Sequence, residues 1–268
     1  MPTFPLSLAI LLGVALLVSS MGFKNYVWFI SLGYGFSIAA EGIAMLILYG
    51  AALSPATVLL SALLFVYGVR LSGYLAIREA KSASYKKHMT SEIKDGKTVP
   101  FGVKCAIWVT CALLYLLQAV PVLCRLANGA QDNVMAYVGA GIMVLGLALE
   151  SAADVQKNAA KKKNPRRFVD TGLYRIVRCP NYLGEMIFWT GVLLSGIGAI
   201  AGVLQWVLAL LGYIGIIFVM FSGARRLELR QNRNYGEDPE YQAYVRRVPI
   251  LLPLIPLYSV VKYKFLVA

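Results

Sequence analysis

Seven long apolar segments, separated by short polar connections, dominate the pattern of hydrophobic and polar positions along this chain. They cover residues 5–22, 27–49, 54–77, 102–124, 134–155, 182–200 and 203–222. About 20 consecutive apolar residues form a helix long enough to cross the hydrocarbon core of a bilayer. The pattern therefore predicts an all-α, single-domain membrane protein of 268 residues with seven transmembrane helices.

The first apolar segment is interpreted as a retained helix, because it lacks the basic n-region and the small-residue cleavage site of a signal peptide. Within the single domain, we expect residues 1–60 to form peripheral N-terminal helices. Residues 60–256 are expected to form a core that holds a functional site, and residues 257–268 a tail.

Lysine and arginine residues concentrate in alternate connections between the predicted helices. They fill residues 78–97, 157–178 and 225–264, whereas the connections near 50–54 and 200–203 have none and the one near 125–133 has only Arg125. Cytosolic loops carry such an excess of positive charge. We therefore expect the N-terminus outside and the C-terminus in the cytosol. The small number of spans and the short N-terminus favour a bacterial inner membrane over the endoplasmic reticulum.

Composition excludes several classes of chemistry. The hydrophobic content of 59% is that of a membrane protein, and the formal net charge of +13 is explained by basic loops that face anionic lipid. The four cysteines have no metal-site spacing and His88 is the only histidine, so we expect neither zinc nor haem. No aromatic-interleaved basic patch is present, so we expect no nucleic-acid partner.

Polar residues inside the predicted spans are candidates for function, because they are costly in hydrocarbon. In the third span, Tyr67, Arg70 and Tyr74 fall at i, i+3 and i+7 on one helical face. They could form an interfacial belt with a snorkelling arginine, but Arg70 lies about two turns inside the cytosolic end, which favours a site. Glu41 is the only acid in the first seventy residues and is either structural or part of a site.

The fifth and sixth spans carry further polar pairs. Glu150 and Asp154 lie at i and i+4, where two carboxylates repel unless cations or donors separate them. The sixth span opens with Pro180, which suits the first turn of a helix, and Asn181 and Glu185 then share one face. The free amides of this helix N-terminus, beside nearby arginines, predict a phosphate site.

A basic helix is expected to continue after the seventh span. It places Arg226 and Arg230 at i and i+4, and the chain then returns through Pro249, Pro253 and Pro256 to an apolar end. This tail could cap the cytosolic mouth of a pocket. An amphipathic helix on the membrane surface is the alternative interpretation.

Three segments of the chain resemble the C-terminal domain of the steroid 5-alpha-reductase superfamily. The stretch GLYRIVRCPNYLGE at residues 172–185 is similar to its GL[WYF]-x-x-x-R-H-P-N-Y-x-G-E signature. The preceding ESAADVQKNAAKKKNPRRFVDTG and the closing EDPEYQAYVRRVPILLP are similar to its E-x-x-A-D-x-Q…F and Y-x-x-Y…P-x-L-x-P segments. The resemblance covers roughly residues 60–256, and its central motif is specific to the superfamily but not to one activity.

The resemblance implies an NADPH-dependent reductase that transfers hydride to the carbon–carbon double bond of an α,β-unsaturated ketone lipid, such as a 3-oxo-Δ4 steroid. Tyr67 and Arg70 match the family's Tyr-x-x-Arg, whose tyrosine donates to the ketone oxygen, and Glu41 is the candidate for its catalytic glutamate. The cofactor pocket would open to the cytosol. The implied NADPH-binding residues are Asp154, Arg167, Tyr174, Arg178, Asn181, Tyr182, Glu185, Arg226, Arg230 and Tyr241.

Two other functions fit the same motif. Related isoprenylcysteine carboxyl methyltransferases use S-adenosylmethionine, which would make the chain a methyltransferase acting on a lipid thiol or carboxylate. Cys179 replaces the histidine that those enzymes carry, and this departure weakens the methyltransferase interpretation more than the reductase one. A non-catalytic sterol-binding protein is the third possibility.

Overall fold

The computed structural model describes residues 2–81 and 99–266, in which the regular secondary structure is helical and no β-strand occurs. The basic connection that includes His88 lies outside the described residues. Short 3₁₀ turns at Ser20–Phe23, Tyr26–Phe29, Gly50–Ala52 and Gly172–Arg175 join longer helices. The α-helices are α1 (Phe4–Ser19), α2 (Leu32–Leu48), α3 (Pro55–Lys81), α4 (Phe101–Ala127), α5 (Val134–Lys163), α6 (Pro180–Ser195), α7 (Gly202–Tyr235) and α8 (Pro239–Arg247).

In the described part of the chain, six helices are long and apolar enough to cross a membrane, which indicates a multi-pass membrane protein. They are α1 to α5 and α7, with α1 and α2 each extended by a neighbouring 3₁₀ turn. The sixth predicted span corresponds to α6, which has only 16 residues. The all-helical membrane class is confirmed, whereas the count of seven spans and the orientation of the termini stay predictions.

The chain divides into two compact units. The first contains Met1–Ala140 and Val192–Tyr213, and the second contains Gly141–Gly191 and Ile214–Ala268. Both candidate catalytic residues fall in the first unit, and all ten candidate cofactor residues fall in the second.

In the first unit, α2 and α3 pack in antiparallel directions with their backbones in close contact. A Cβ atom on Gly35 would lie 2.7 Å from the carbonyl oxygen of Gly68, and one on Gly42 would lie 2.7 Å from that of Ser61. Ser72 Oγ donates to the carbonyl of Leu32 at 2.8 Å. Small residues allow this close approach in membrane helices, and here it fixes the register that carries Tyr67 and Glu41.

In the second unit, α5 and α6 cross at a second pair of glycines. A Cβ atom on Gly184 would lie 2.8 Å from the carbonyl oxygen of Gly146 and 2.6 Å from the amide nitrogen of Glu150. Beyond these helices, an aromatic cluster anchors α8, with the ring of Phe168 stacked on Tyr244 at 5.3 Å between centroids. The signature segment, residues 172–185, is thus held between α5 and the aromatic cluster that anchors α8.

Candidate functional site

Tyr67, the candidate catalytic tyrosine, is fully buried in the first unit. Its hydroxyl oxygen lies 3.1 Å from that of Tyr34 on α2, and either hydroxyl can donate in this hydrogen bond. Tyr34 in turn packs against Tyr115 of α4, with ring centroids 5.1 Å apart. Three helices therefore bring phenol groups together at one buried point.

Glu41 is also fully buried, and neither of its carboxyl oxygens has a hydrogen-bond partner. It is therefore not hydrogen-bonded to Tyr67, whose hydroxyl meets Tyr34 instead. Glu41 lies seven residues after Tyr34 on α2, hence on the same face, and is within electrostatic range of Tyr115. The acid thus belongs to the neighbourhood of the tyrosine cluster.

Gln118 adds a second unpartnered group to the first unit. The side chain is 3% exposed, and neither its amide nitrogen nor its amide oxygen has a hydrogen-bond partner. Gln118 lies one turn after Tyr115 on α4. Its presence in the apolar run LLYLLQAVPV was a signal that the sequence interpretation did not use.

Arg70 and Tyr74, which share a helical face with Tyr67, contact each other. The guanidinium of Arg70 lies 5.9 Å from the centroid of the Tyr74 ring, and that of Arg78 lies 5.7 Å from the same centroid. Both arginines are therefore placed for cation–π interaction with Tyr74.

In the second unit, Tyr182 lies at the centre of the candidate cofactor residues. Arg226, Glu185 and Arg230 are all within electrostatic range of its hydroxyl. A Cβ atom on Gly223 would lie 3.3 Å from the Tyr182 ring, so this glycine lets α7 approach the ring closely. Together with Asn181, five of the predicted cofactor-binding residues therefore lie on α6 and α7.

Asn181 is half-buried, and its side-chain oxygen Oδ1 is buried without a hydrogen-bond partner. Glu185, one turn further along α6, is 5% exposed. Arg226 is exposed and Arg230 is half-buried, so both guanidinium groups remain accessible at the edge of this group. The arrangement offers an amide acceptor, a carboxylate and two cations to a polar ligand.

Arg178 is held by partners from the chain itself. Its side chain is 1% exposed, and Nη2 donates to Glu228 Oε1 at 3.0 Å and to the carbonyl of Tyr258. The other oxygen of Glu228 accepts from the amide of Val260 at 2.9 Å. The Nε and Nη1 atoms of Arg178 are buried without hydrogen-bond partners.

The backbone just before α6 also forms hydrogen bonds with Pro249 and Ile250, which follow α8. The amide of Arg178 donates to the carbonyl of Pro249 at 2.9 Å, and that of Cys179 donates to Ile250 at 3.0 Å. The phosphate site predicted at this helix N-terminus is therefore limited to amides beyond Cys179.

Arg167, the predicted phosphate ligand, is exposed and forms two ion pairs. Nη1 donates to Glu240 at 2.5 Å, and Nη2 donates to Asp170 at 2.9 Å. The hydrogen bond with Glu240, followed by that with Asp170, raises the pKa of Arg167 above its ordinary value. A phosphate would have to replace these carboxylates, one of which, Glu240, lies on α8.

Tyr174 and Tyr241 are buried, and the hydroxyl of each donates a hydrogen bond within the second unit. The Tyr174 hydroxyl donates to the carbonyl of Ala153 at 3.3 Å, and its own carbonyl accepts from the Tyr244 hydroxyl at 2.7 Å. The Tyr241 hydroxyl donates to Asn232 Oδ1 at 2.7 Å, and burial raises the pKa of Tyr241 to about 12.

Gln156, the last residue of the E-x-x-A-D-x-Q stretch, has a structural role that the sequence analysis did not assign. Its side-chain oxygen accepts from the amide of Leu173 at 2.8 Å. Gly172, which precedes Leu173, has a φ of 60°, and an added Cβ atom there would collide with the Gln156 side chain. Asp154, two residues earlier on α5, is half-buried. The positive φ of Gly172 explains why glycine opens the Gly-Leu-Tyr turn.

Cys179, at the position where the signature that the chain resembles has a histidine, is 1% exposed. Burial raises the pKa of its thiol to about 12. A buried neutral thiol is neither a general base nor an activated nucleophile at neutral pH. Within residues 2–81 and 99–266, no three His, Cys, Asp or Glu side chains form a group that could hold a metal ion.

Comparison with known proteins identifies a family and leaves the activity open. A search of curated proteins found no match, and neither did a search of solved structures. The family model described as a protein of unknown function, DUF1295, matches residues 17–248. Since this match covers most of the chain, including both candidate regions, the chain belongs to the DUF1295 family of membrane proteins.

Proposed function

We propose that this protein is a membrane reductase that uses NADPH to reduce the carbon–carbon double bond of an α,β-unsaturated ketone lipid, such as a 3-oxo-Δ4 steroid. The observation that carries the proposal is the buried hydroxyl pair of Tyr34 and Tyr67, 3.1 Å apart. The pair gives the tyrosine that resembles the family's catalytic residue a hydrogen-bonded neighbour in a dry setting.

A ketone oxygen gains negative charge when hydride reaches the β-carbon, so the transition state is stabilised by donors fixed around that oxygen. In the proposed arrangement, Tyr67 donates to the ketone and Tyr34 donates to Tyr67. Such a chain of hydroxyls polarises along its length, which strengthens the terminal donor. Because the hydroxyls are buried, water does not compete for them.

Glu41 would act in its neutral form. An ionised carboxylate with no hydrogen-bond partner and no exposure to water would cost far more free energy than a protonated one. A neutral carboxyl has one O–H donor, which is available to the substrate or to the tyrosine cluster. We therefore keep Glu41 as the second catalytic residue, in a supporting role.

Asn181 at the start of α6, with Arg226 and Arg230 on α7, offers groups that match the polar groups of NADPH. The unpartnered Oδ1 of Asn181 suits the carboxamide N–H₂ of a nicotinamide ring, while Arg226 and Arg230 offer cations to phosphate oxygens. Bound NADPH would supply the hydride. Glu185, Tyr182 and Asp154 would orient the cofactor. The basic connections support a site that faces the cytosol of a bacterial inner membrane.

Cys179 is the reason that we do not propose methyl transfer. In the methyltransferases that share the motif, this position is a histidine. A buried thiol whose pKa is raised to about 12 cannot take over proton transfer near pH 7.

The experiment that tests the proposal measures cofactor binding and turnover on the detergent-solubilised protein. NADPH should raise the thermal unfolding temperature, because a ligand stabilises the state that it binds. NADPH oxidation should then depend on added 3-oxo-Δ4 steroid. Equal shifts by NADPH and NADH would remove the claim of a 2′-phosphate contact. Stabilisation by S-adenosylmethionine alone would overturn the reductase proposal.

A further inference from the structure

An apolar groove lies within the second unit, between residues 214–221 of α7 and the C-terminal segment, residues 257–266. Its volume is about 360 Å³, within the range of pockets that hold small molecules. Its side chains are aliphatic and aromatic, and they include Ile214, Phe218, Phe221, Val260, Phe265 and Leu266. A concave apolar surface of this size fits a hydrocarbon chain better than it fits a polar ligand.

The wall formed by the C-terminal segment is fixed by hydrogen bonds to α7. Arg225 Nε donates to the carbonyl of Val261 at 3.2 Å, and Arg225 Nη1 donates to that of Leu266 at 3.1 Å. Glu228 accepts from the amide of Val260 at 2.9 Å. These bonds hold the backbone while the side chains line the groove, so the groove is preformed.

The open side of the groove is apolar, and its rim is basic. Ile214 is 62% exposed and Phe265 is 68% exposed, as expected for side chains that face hydrocarbon. Residues 251–266 contain two lysines and no acid, and both Lys262 and Lys264 are exposed. The Lys262 ammonium lies 5.1 Å from the ring centroid of Tyr263, which lines the groove. The cations are therefore next to the apolar surface.

We propose that this groove binds one acyl chain of an anionic phospholipid, whose phosphate group lies against Lys262 and Lys264. The apolar lining would contact the acyl chain. The basic rim favours a negatively charged head group, since each lysine near a membrane surface attracts anionic lipid. A zwitterionic lipid with the same chains would fill the groove without this attraction. The proposal does not depend on the reductase activity.

The test is native mass spectrometry of the detergent-solubilised protein, titrated with phosphatidylglycerol or with phosphatidylcholine of identical chains. We expect one phosphatidylglycerol to bind with a preference of roughly thirtyfold, the scale of attraction by two surface lysines. Lys262→Gln combined with Lys264→Gln should remove the preference. Lys162→Gln combined with Lys163→Gln, an exposed basic pair elsewhere, should leave it unchanged.

The groove itself is tested by filling it. Ile217→Trp should weaken phosphatidylglycerol binding, whereas Leu211→Trp, the same change outside the groove on α7, should not. Phe265→Ser, at an exposed lining position, provides a second groove variant if Ile217→Trp fails to fold. Equal binding of the two lipids by the wild-type protein, or unchanged lipid binding in a folded groove variant, would overturn the proposal.

Discussion

Glu41 and Gln118 of the first unit are buried without hydrogen-bond partners, whereas the buried Arg178 of the second unit is paired with Glu228 at 3.0 Å. A buried polar group without a partner costs about 1–3 kcal/mol. The first unit therefore retains a cost that its own packing does not offset, whereas in the second unit the ion pair with Glu228 offsets part of the cost of burying Arg178. This contrast separates groups that are available to a ligand from groups that hold the fold.

The largest effect is expected from breaking the Arg178–Glu228 pair. Arg178→Ala should lower the free energy of unfolding by about 3–5 kcal/mol, because it leaves a carboxylate buried without its cation. Chemical unfolding in detergent measures this loss. Arg175→Ala, an exposed arginine of the same turn, is the control and should change stability little. A mild effect of Arg178→Ala, equal to that of the control, would show that the pair is not structural.

The next effect concerns catalysis in the first unit. Tyr67→Phe keeps the ring but removes the donor, so turnover of a 3-oxo-Δ4 steroid should fall by roughly a hundredfold. Stability should fall by only about 1 kcal/mol, the value of one hydrogen bond, and NADPH binding should persist. Tyr74→Phe serves as the matched control on the same helical face. Normal turnover by Tyr67→Phe would rule out the tyrosine as the ketone donor.

Asn181 tests whether an unpartnered group in the second unit is also available to a ligand, because its Oδ1 is buried without a hydrogen-bond partner. Asn181→Ala should weaken NADPH binding by about 1–3 kcal/mol without lowering stability. A binding titration followed by thermal shift measures both quantities. Lys162→Ala, an exposed cation, should leave the affinity unchanged. If both variants bind NADPH equally well, the cofactor residues have been placed wrongly.

Gln118 tests whether an unpartnered group is kept for function. Gln118→Leu removes two buried polar atoms at similar volume, so stability should rise by about 1 kcal/mol. Turnover should fall if the amide contacts the substrate or the tyrosine cluster. Thermal unfolding and a turnover assay on the same preparation give both values. A loss of stability would show that the amide has a partner such as a buried water molecule.

The smallest effect is a pH dependence at Asp132, in the connection between α4 and α5. Burial acts to raise its pKa, but hydrogen bonds from Ser54, Tyr137 and Ala56 outweigh it and lower the pKa below its ordinary value. The stability from Asp132 is therefore present above the unfolded pKa and is lost as pH falls through the folded pKa.

Thermal unfolding of the wild type and of Asp132→Asn, compared from about pH 7 down to about pH 3.5, checks this dependence around the ordinary aspartate pKa. The gap between the two proteins should narrow with falling pH. A gap that is the same at every pH would exclude titration of Asp132 as its origin.

Much of the fold could be predicted from the sequence, because apolar length and charge distribution act locally. The helices found at each predicted span follow from such patterns, and α6 differs because a turn ends it after 16 residues. Tyr67 was identified from its helical spacing and its resemblance to a family motif. Tyr34 was missed because its importance arises only from the register of α2 against α3, which local pattern does not show.

The arginines illustrate the same limit. In the sequence, Arg167 and Arg178 are equivalent cations near a helix N-terminus. The structure pairs Arg178 with Glu228, fifty residues away, and Arg167 with Glu240, seventy-three residues away. Such pairs depend on tertiary packing and cannot be deduced from charge alone. Arg226 is exposed and Arg230 is half-buried, and their role as phosphate ligands stays a prediction.

The hydrogen bonds from Arg178 and Cys179, just before α6, to Pro249, Ile250 and Tyr258 have a consequence for the order of synthesis. The signature segment leaves the ribosome some seventy residues before Pro249 and Ile250 and about eighty residues before Tyr258. Until those residues are made, the guanidinium of Arg178 and the amides beside it lack their final partners. The segment can therefore reach its final arrangement only after Pro249, Ile250 and Tyr258 have been made.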